Sequence, residues 1–159
     1  MQQRYLARLE RCFQEIDGEG SGSVDLGEWI IFTGGGVHSV LRKVFSHYSS
    51  DGELSVDEFA RALWTFLSRG KQGMALFCFE LYAAAGKEEI DREALRRMAK
   101  DVHNDPTHAL EIVSKSPEIV GRAEFLALCT RNAGLLTPLF VLQQRLCRKI
   151  FGKQIEKVS

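Results

Sequence analysis

One segment of the sequence, residues 17–28, constrains the fold more than any other part of the chain. Oxygen-bearing residues occupy its positions 1, 3, 5, 7, 9 and 12, which are Asp17, Glu19, Ser21, Ser23, Asp25 and Glu28. Gly22 stands at position 6, where a sharp turn needs a backbone conformation that is unfavourable for residues with a Cβ. A hard cation prefers roughly six to eight oxygen ligands, and a short loop with this spacing can wrap around one.

This pattern resembles the calcium-binding loop of the EF-hand family. The resemblance implies that the metal ligands are the side chains of Asp17, Glu19, Ser21, Asp25 and Glu28 and the backbone carbonyl of Ser23. Asp25 would bind directly or through a water, and Glu28 would close the site with both carboxylate oxygens. We expect one calcium site here, which magnesium can occupy in place of calcium. Glu19 is longer than the usual ligand at position 3 and Ser21 is neutral, so both lower the expected affinity.

A second unit follows at a fixed distance. The segment 47–58 repeats the glycine, the aliphatic residue and the final glutamate of the first loop at a spacing of 30 residues, which indicates a duplicated structural unit. Its first position is His47, and a neutral imidazole is a poor ligand for calcium. We expect this loop to keep the fold and to bind calcium weakly or not at all. The position-8 residues of the paired loops, Val24 and Leu54, are expected to face each other in a short antiparallel bridge.

Apolar residues recur at three- and four-residue steps around these loops, as in amphipathic helices, and the glycines at 34–36 are expected to end the helix after the first loop. In the second half, Ile90 and Val120 are again 30 residues apart, which indicates two more units. Alanine, lysine, valine and proline stand at ligand positions of these loops (83–94 and 113–124), so neither is expected to bind a cation. The resemblance therefore implies an all-α fold of two lobes, each a pair of EF-hand units with a short antiparallel β bridge between the loops, plus a C-terminal amphipathic helix.

The predicted organisation has four parts. Residues 1–68 form an N-terminal pair with an intact first loop and a degraded second loop, 69–73 a linker, 74–131 a C-terminal pair with two degraded loops, and 132–159 a basic amphipathic helix or tail. The resemblance covers about residues 1–131. Three interpretations of the tail remain open: it packs on the C-terminal pair, it fills a groove of that pair as a built-in ligand, or it contacts a partner.

Composition and missing motifs exclude several classes of protein. The 159 residues carry 21 basic and 21 acidic side chains, so no global basic field attracts nucleic acid. No apolar stretch is long enough to span a membrane. The four cysteines lie far apart and form no CxxC pair, which favours buried reduced thiols in a cytosolic protein over a zinc site. An enzyme is not expected, because no phosphate-binding loop, nucleophile elbow or two-histidine zinc motif occurs.

Two functions are consistent with a resemblance to calmodulin-like sensors, calcineurin-B-like regulatory subunits and myosin-type light chains. In the first, calcium exposes an apolar groove lined by Phe13, Trp29 and Phe32, and a helix of a partner protein docks there. Without calcium, these aromatic residues are expected to serve as ordinary core. In the second, the chain is a structural light chain or accessory subunit of a cytoskeletal, ciliary or motor assembly, and calcium is auxiliary. The expected location is cytoplasmic, with a cytoskeletal or ciliary structure as the alternative setting.

Overall fold

The computed structural model describes residues 1–34, 39–155 and 157, and over these residues the all-α prediction is confirmed. The helices are α1 (Gln3–Ile16), α2 (Leu26–Thr33), α3 (Val40–Tyr48), α4 (Val56–Leu67), α5 (Lys71–Tyr82), α6 (Arg92–Val102), α7 (Thr107–Ser114), α8 (Arg122–Arg131) and α9 (Thr137–Phe151). A 3-10 turn spans Ala133–Leu135, and two short strands, β1 (Glu89–Asp91) and β2 (Ile119–Gly121), pair with each other. Among the helices of this part of the chain, none combines the length and apolar character needed to cross a membrane.

The chain divides into two compact units. The N-terminal unit contains Met1–Ser68 together with Gln143–Lys157, and the C-terminal unit contains Arg69–Leu142. The segment predicted as the linker, 69–73, includes the start of α5. This helix begins at Lys71, directly after its N-cap residue Gly70, which has an extended backbone.

The core of the N-terminal unit is built around the ring of Phe59. This fully buried ring lies 5.5 Å from that of Phe13, 5.9 Å from that of Trp29 and 5.8 Å from that of Phe32, measured between centroids. The buried indole N–H of Trp29 donates to the carbonyl of Leu41 at 2.9 Å, which joins α2 to α3 and leaves no unsatisfied donor at the ring. Phe13 and Trp29 are therefore core residues in this structure, and Phe32 is half-buried.

Local sequence signals account for the ends of the helices. A capping box formed by Asp25 and Glu28 starts α2, and another formed by Ser55 and Glu58 starts α4. Gly34 ends α2 in the left-handed conformation, with φ at 65°, as the glycine run predicts. The other two glycines of that run, at 35 and 36, lie outside the described residues.

Both predicted bridges between loops are present. Val24 and Leu54 form an isolated antiparallel bridge, and each N–H donates to the other residue's carbonyl at 2.8 Å. Ile90 faces Val120 in the antiparallel pairing of β1 with β2. These four side chains are buried, so the position-8 residues contribute to the cores of their units as well as to the pairing.

The C-terminal helix α9 is divided between the two units, whereas two of the interpretations left open by the sequence place it on the C-terminal pair alone. The third interpretation, contact with a partner, stays a prediction. The first residues of α9, up to Leu142, belong to the C-terminal unit, but its residues from Gln143 onward belong to the N-terminal unit. The side chains of Leu146, Cys147 and Ile150 are buried there. Periodicity predicts the buried face of a helix but not the surface that covers it, which is why this arrangement could not be predicted.

All four cysteines are free thiols, as expected. Cys78 and Cys147 are buried, whereas Cys12 and Cys129 are half-buried. Burial raises the pKa of each thiol, and that of Cys129 rises to about 12. Because the thiolate is the reactive form, these raised pKa values disfavour reaction of the four thiols as nucleophiles.

Candidate metal centre

The loop 17–28 connects the end of α1 to the first turn of α2. Asp17 follows the last residue of α1 and is only 9% exposed. Gly20 and Gly22 have φ angles of 65° and 84°, which residues with a Cβ rarely adopt. The backbone therefore requires the position-6 glycine that the sequence pattern identified.

The Asp17 carboxylate is at the centre of this loop's hydrogen bonds. Its Oδ1 atom accepts from the Ser21 N–H at 3.0 Å and from the Ser21 hydroxyl at 2.9 Å, and its Oδ2 atom accepts from the Gly22 N–H at 2.7 Å. The same hydroxyl lies 3.0 Å from the carbonyl oxygen of Ser23. Three predicted ligand oxygens, one each from Asp17, Ser21 and Ser23, thus lie together at the turn.

The remaining predicted ligands are not gathered at this turn. The Asp25 carboxylate accepts the Glu28 N–H at 2.8 Å, and the Glu28 carboxylate accepts the Asp25 N–H at 3.0 Å, which is the capping box of α2. Glu19 is exposed. Within the described ranges, no three His, Cys, Asp or Glu side chains come together as they do in a preformed metal site.

The donors of the loop fit a hard cation. Every candidate ligand is an oxygen, and three of these oxygens are already adjacent. Calcium tolerates a flexible shell of such ligands, whereas magnesium demands a stricter octahedron. Asp17, Ser21 and Ser23 would hold the ion at the turn, and Glu28 would connect it to α2. A bound ion would place positive charge next to the Asp17 carboxylate, which accepts hydrogen bonds from Ser21 and Gly22.

The pKa of Asp17 provides a direct test of this geometry. The hydrogen bond from the Gly22 N–H is the largest influence, and with those from Ser21 it lowers the pKa despite the opposing effect of burial. Since the folded-state pKa lies below that of the unfolded chain, this stabilisation is present above the unfolded pKa and is lost as the pH falls through the folded one. We expect carboxyl ¹³C NMR, in a chelator and with Asp17→Asn for assignment, to show titration below the usual aspartate range. Titration within or above that range would contradict the geometry.

The second loop, 47–58, keeps its fold but begins differently. His47 lies inside α3, which continues to Tyr48, and the two rings meet edge to face at 5.1 Å. At its end, hydrogen bonds led by that from the Ser55 N–H lower the pKa of Glu58. Protein donors thus satisfy the glutamate at position 12. The weak calcium affinity of this loop remains a prediction.

In the C-terminal unit, an arginine links the third loop to the fourth unit. Arg122 in the first turn of α8 pairs with Glu88 of the loop 83–94 at 2.9 Å and lies 3.7 Å from Glu80. Its guanidinium also lies 5.0 Å from the centroid of the Phe79 ring. Exposed ion pairs of this kind contribute little to stability. These contacts nevertheless connect α5 and the loop 83–94 to the start of α8 through the positive charge of the Arg122 guanidinium.

The fourth loop is shorter than the sequence pattern predicts. Helix α7 continues to Ser114, so the first two positions of the segment 113–124 are helical. The hydroxyl of Ser116 then donates to the carbonyl of Val113 at 2.6 Å and closes the turn. Neither this change nor the contacts of Arg122 could be predicted from the sequence. The two residues of the Arg122–Glu88 pair are 34 positions apart, and no periodic signal connects them.

Two comparisons with known proteins bear on this resemblance. No protein-family model matches the chain. The chain is similar to the calcineurin B protein of Naegleria gruberi, with 28% identity over 101 residues. The matched region is 62% of this chain and 57% of that protein. Together with the helical fold described above, this similarity supports a resemblance to calcineurin-B-like EF-hand proteins.

Proposed function

We propose that this chain is a calcium-binding regulatory protein that acts by binding an amphipathic helix of a partner protein. One ion binds at the loop 17–28, through the ligand residues named above, and modulates that interaction. The observation that carries the proposal is the convergence of the Asp17, Ser21 and Ser23 oxygens at the turn between Gly20 and Gly22. Hard cations select such sets of oxygens.

The similarity to calcineurin B supports a regulatory role, because that protein is named as one of the subunits of calcineurin. By analogy, this chain would assemble with another protein rather than catalyse a reaction itself. We propose a cytoplasmic location and no nucleic-acid partner, in keeping with the zero net charge. Magnesium is the competing ion at the site, since it also prefers oxygen ligands.

A structural light chain or accessory subunit of a larger assembly is the second candidate. The observation that favours it is the C-terminal unit, where Arg122 pairs with Glu80 and Glu88 near loops that lack metal ligands. This unit has its own buried core, and the pairing of β1 with β2 joins its two loops. In such a role, calcium at the first loop would adjust an assembly that exists without it.

Calcium titration at cellular magnesium levels distinguishes the two candidates. Calorimetry is expected to report one site of roughly micromolar affinity. Both tryptophans, Trp29 and Trp64, lie in the N-terminal unit, so their fluorescence and the binding of an apolar dye would follow any opening of that unit. Binding with a fluorescence change and dye uptake supports regulation. Binding without either change favours the structural role, and no binding contradicts the site.

A further inference from the structure

Three aromatic rings of the N-terminal unit meet beside the end of α9. The ring of Tyr5 in α1 lies 5.2 Å from that of Phe151 in α9, edge to face, and 5.1 Å from that of Trp64 in α4, measured between centroids. All three residues are half-buried. The guanidinium of Arg4 lies 4.9 Å from the centroid of the Tyr5 ring and donates to its hydroxyl at 3.1 Å. This aromatic cluster therefore combines partly exposed apolar surface with a cation.

Exposed basic side chains line two of the helices that meet at the aromatic cluster. Arg4, Arg8 and Arg11 recur at three- and four-residue steps of α1, so they lie along one face of this helix. Residues 143–157 contain five basic residues and one acidic residue, which makes this segment strongly positive. Seven exposed cations of the two helices and the residues after α9 form what we call the basic surface: Arg4, Arg8, Arg11, Arg145, Arg148, Lys149 and Lys153.

The two sets of cations come together at Cys12. Burial and the nearby Glu15 raise the pKa of this thiol, whereas the charges of Arg8, Lys149 and Arg11 lower it. Arginines of α1 and a lysine of α9 therefore lie near the same side chain. The basic surface is thus continuous across the two helices.

The charge of the basic surface is not neutralised within the unit. In the described part of the chain, its cations form no ion pair with a carboxylate, and Lys149 instead contacts the carbonyl and the ring of Phe32. The acidic residues of α1, Glu10 and Glu15, are fewer than its arginines. A chain with zero net charge therefore presents a local surface that attracts anions.

We propose that the basic surface docks the N-terminal unit on a lipid bilayer that contains anionic lipids. The anionic headgroups would meet the cations of α1 and α9, and the aromatic cluster would lie at the level of the headgroups. Each lysine or arginine near an anionic membrane raises the affinity roughly fivefold, and tryptophan and tyrosine favour the interface between water and lipid. A bilayer is favoured over a soluble polyanion because it places apolar material next to its charges.

This docking goes beyond the proposed function and uses the C-terminal segment where the structure places it. The cations are exposed in that position, so no part of the chain has to move. None of the residues of the basic surface belongs to the loop 17–28. Binding to anionic vesicles is therefore expected in a chelator, and its failure would leave the proposed calcium site untouched.

Sedimentation with lipid vesicles in a chelator tests the basic surface. A triple variant, Arg8→Gln with Arg11→Gln and Arg148→Gln, removes three exposed cations and introduces residues that favour helices. The vesicles contain phosphatidylcholine with about 30% phosphatidylserine, at an ionic strength of roughly 0.1 M. We expect this variant to bind on the order of 100-fold more weakly than the unsubstituted protein, as expected for the loss of three cations.

The matched control removes the same charge from the C-terminal unit. It carries Lys87→Gln, Lys100→Gln and Arg131→Gln, all at exposed positions. We expect its affinity for the vesicles to change by less than about threefold, since long-range effects of net charge are screened by salt. Equal affinities of the two triple variants, or equal binding to vesicles with and without phosphatidylserine, would overturn the inference. Tighter binding to duplex DNA or polyglutamate than to vesicles, at the same concentration of anionic groups, would also overturn it.

The fluorescence of Trp64 reports on the aromatic cluster at the membrane. Bromine atoms on the acyl chains of a lipid quench a tryptophan that comes close to them. We expect brominated vesicles to quench the unsubstituted protein and to have little effect on Trp64→Phe, because its remaining tryptophan, Trp29, is fully buried. Binding without quenching, or equal quenching of the two proteins, would overturn the placement of the aromatic cluster at the interface.

Discussion

Replacing Glu28 with glutamine is expected to weaken calcium binding by on the order of 100-fold, because the substitution removes the charged carboxylate that supplies two ligand oxygens at position 12. The same substitution leaves the start of α2 intact. A glutamine at this position of a capping box still accepts the backbone N–H that Glu28 accepts from Asp25. The loss measured by calorimetry would then report on the metal and not on the helix.

Glu58→Gln is the matched control for this experiment. Glu58 occupies position 12 of the second loop and forms an equivalent capping box with Ser55. We expect this variant to bind calcium with unchanged affinity and stoichiometry, because His47 replaces the first ligand of its loop. Unchanged affinity in Glu28→Gln would contradict the assignment of the first loop. A loss in both variants would mean that the second loop also binds the ion.

Replacing Phe59 with alanine is expected to lower the free energy of unfolding of the N-terminal unit by about 3–5 kcal/mol. Its ring is fully buried and packs against three other aromatic rings, those of Phe13, Trp29 and Phe32. Truncation leaves a cavity that rigid neighbours fill only in part. Urea unfolding followed by tryptophan fluorescence measures this loss, since both tryptophans report on this unit.

Ile31→Ala is the control for that measurement, because Ile31 lies on α2 but is 81% exposed. Its expected effect is within about 0.5 kcal/mol. A loss of stability for Phe59→Ala no larger than for Ile31→Ala would contradict the packing described here. A large loss for Ile31→Ala would instead indicate that this exposed side chain is covered in solution.

Most of the fold could be predicted because its signals are local or periodic. The 30-residue spacing placed Val24 opposite Leu54 and Ile90 opposite Val120, and both pairs meet as expected. Gly34 ends α2 because a left-handed residue is needed there. Such features depend on a few neighbouring residues or on a repeated spacing, and a single sequence contains that information.

The features that escaped prediction depend on contacts between distant residues. Arg145 and Thr33 are 112 positions apart, and nothing in the sequence of α9 identifies the carbonyls that it reaches. For the first loop, the sequence identified the candidate ligands of the metal, which remain a prediction. The sequence could not indicate that Ser21 bonds Asp17 and approaches Ser23, or that Glu28 forms a capping box. The same residues are compatible with these hydrogen bonds and with the predicted ligand set of a metal ion.

The position of the C-terminal segment also affects how the chain emerges during translation. Gln143 follows its hydrogen-bond acceptor Phe66 by 77 residues. At about 5–20 residues per second, a ribosome needs roughly 4–15 s to synthesise that interval. Throughout that time the surface of the N-terminal unit that Leu146, Cys147 and Ile150 cover in the completed protein lacks this cover. A chaperone that acts during translation would therefore meet apolar surface on the growing chain that the last part of α9 later buries.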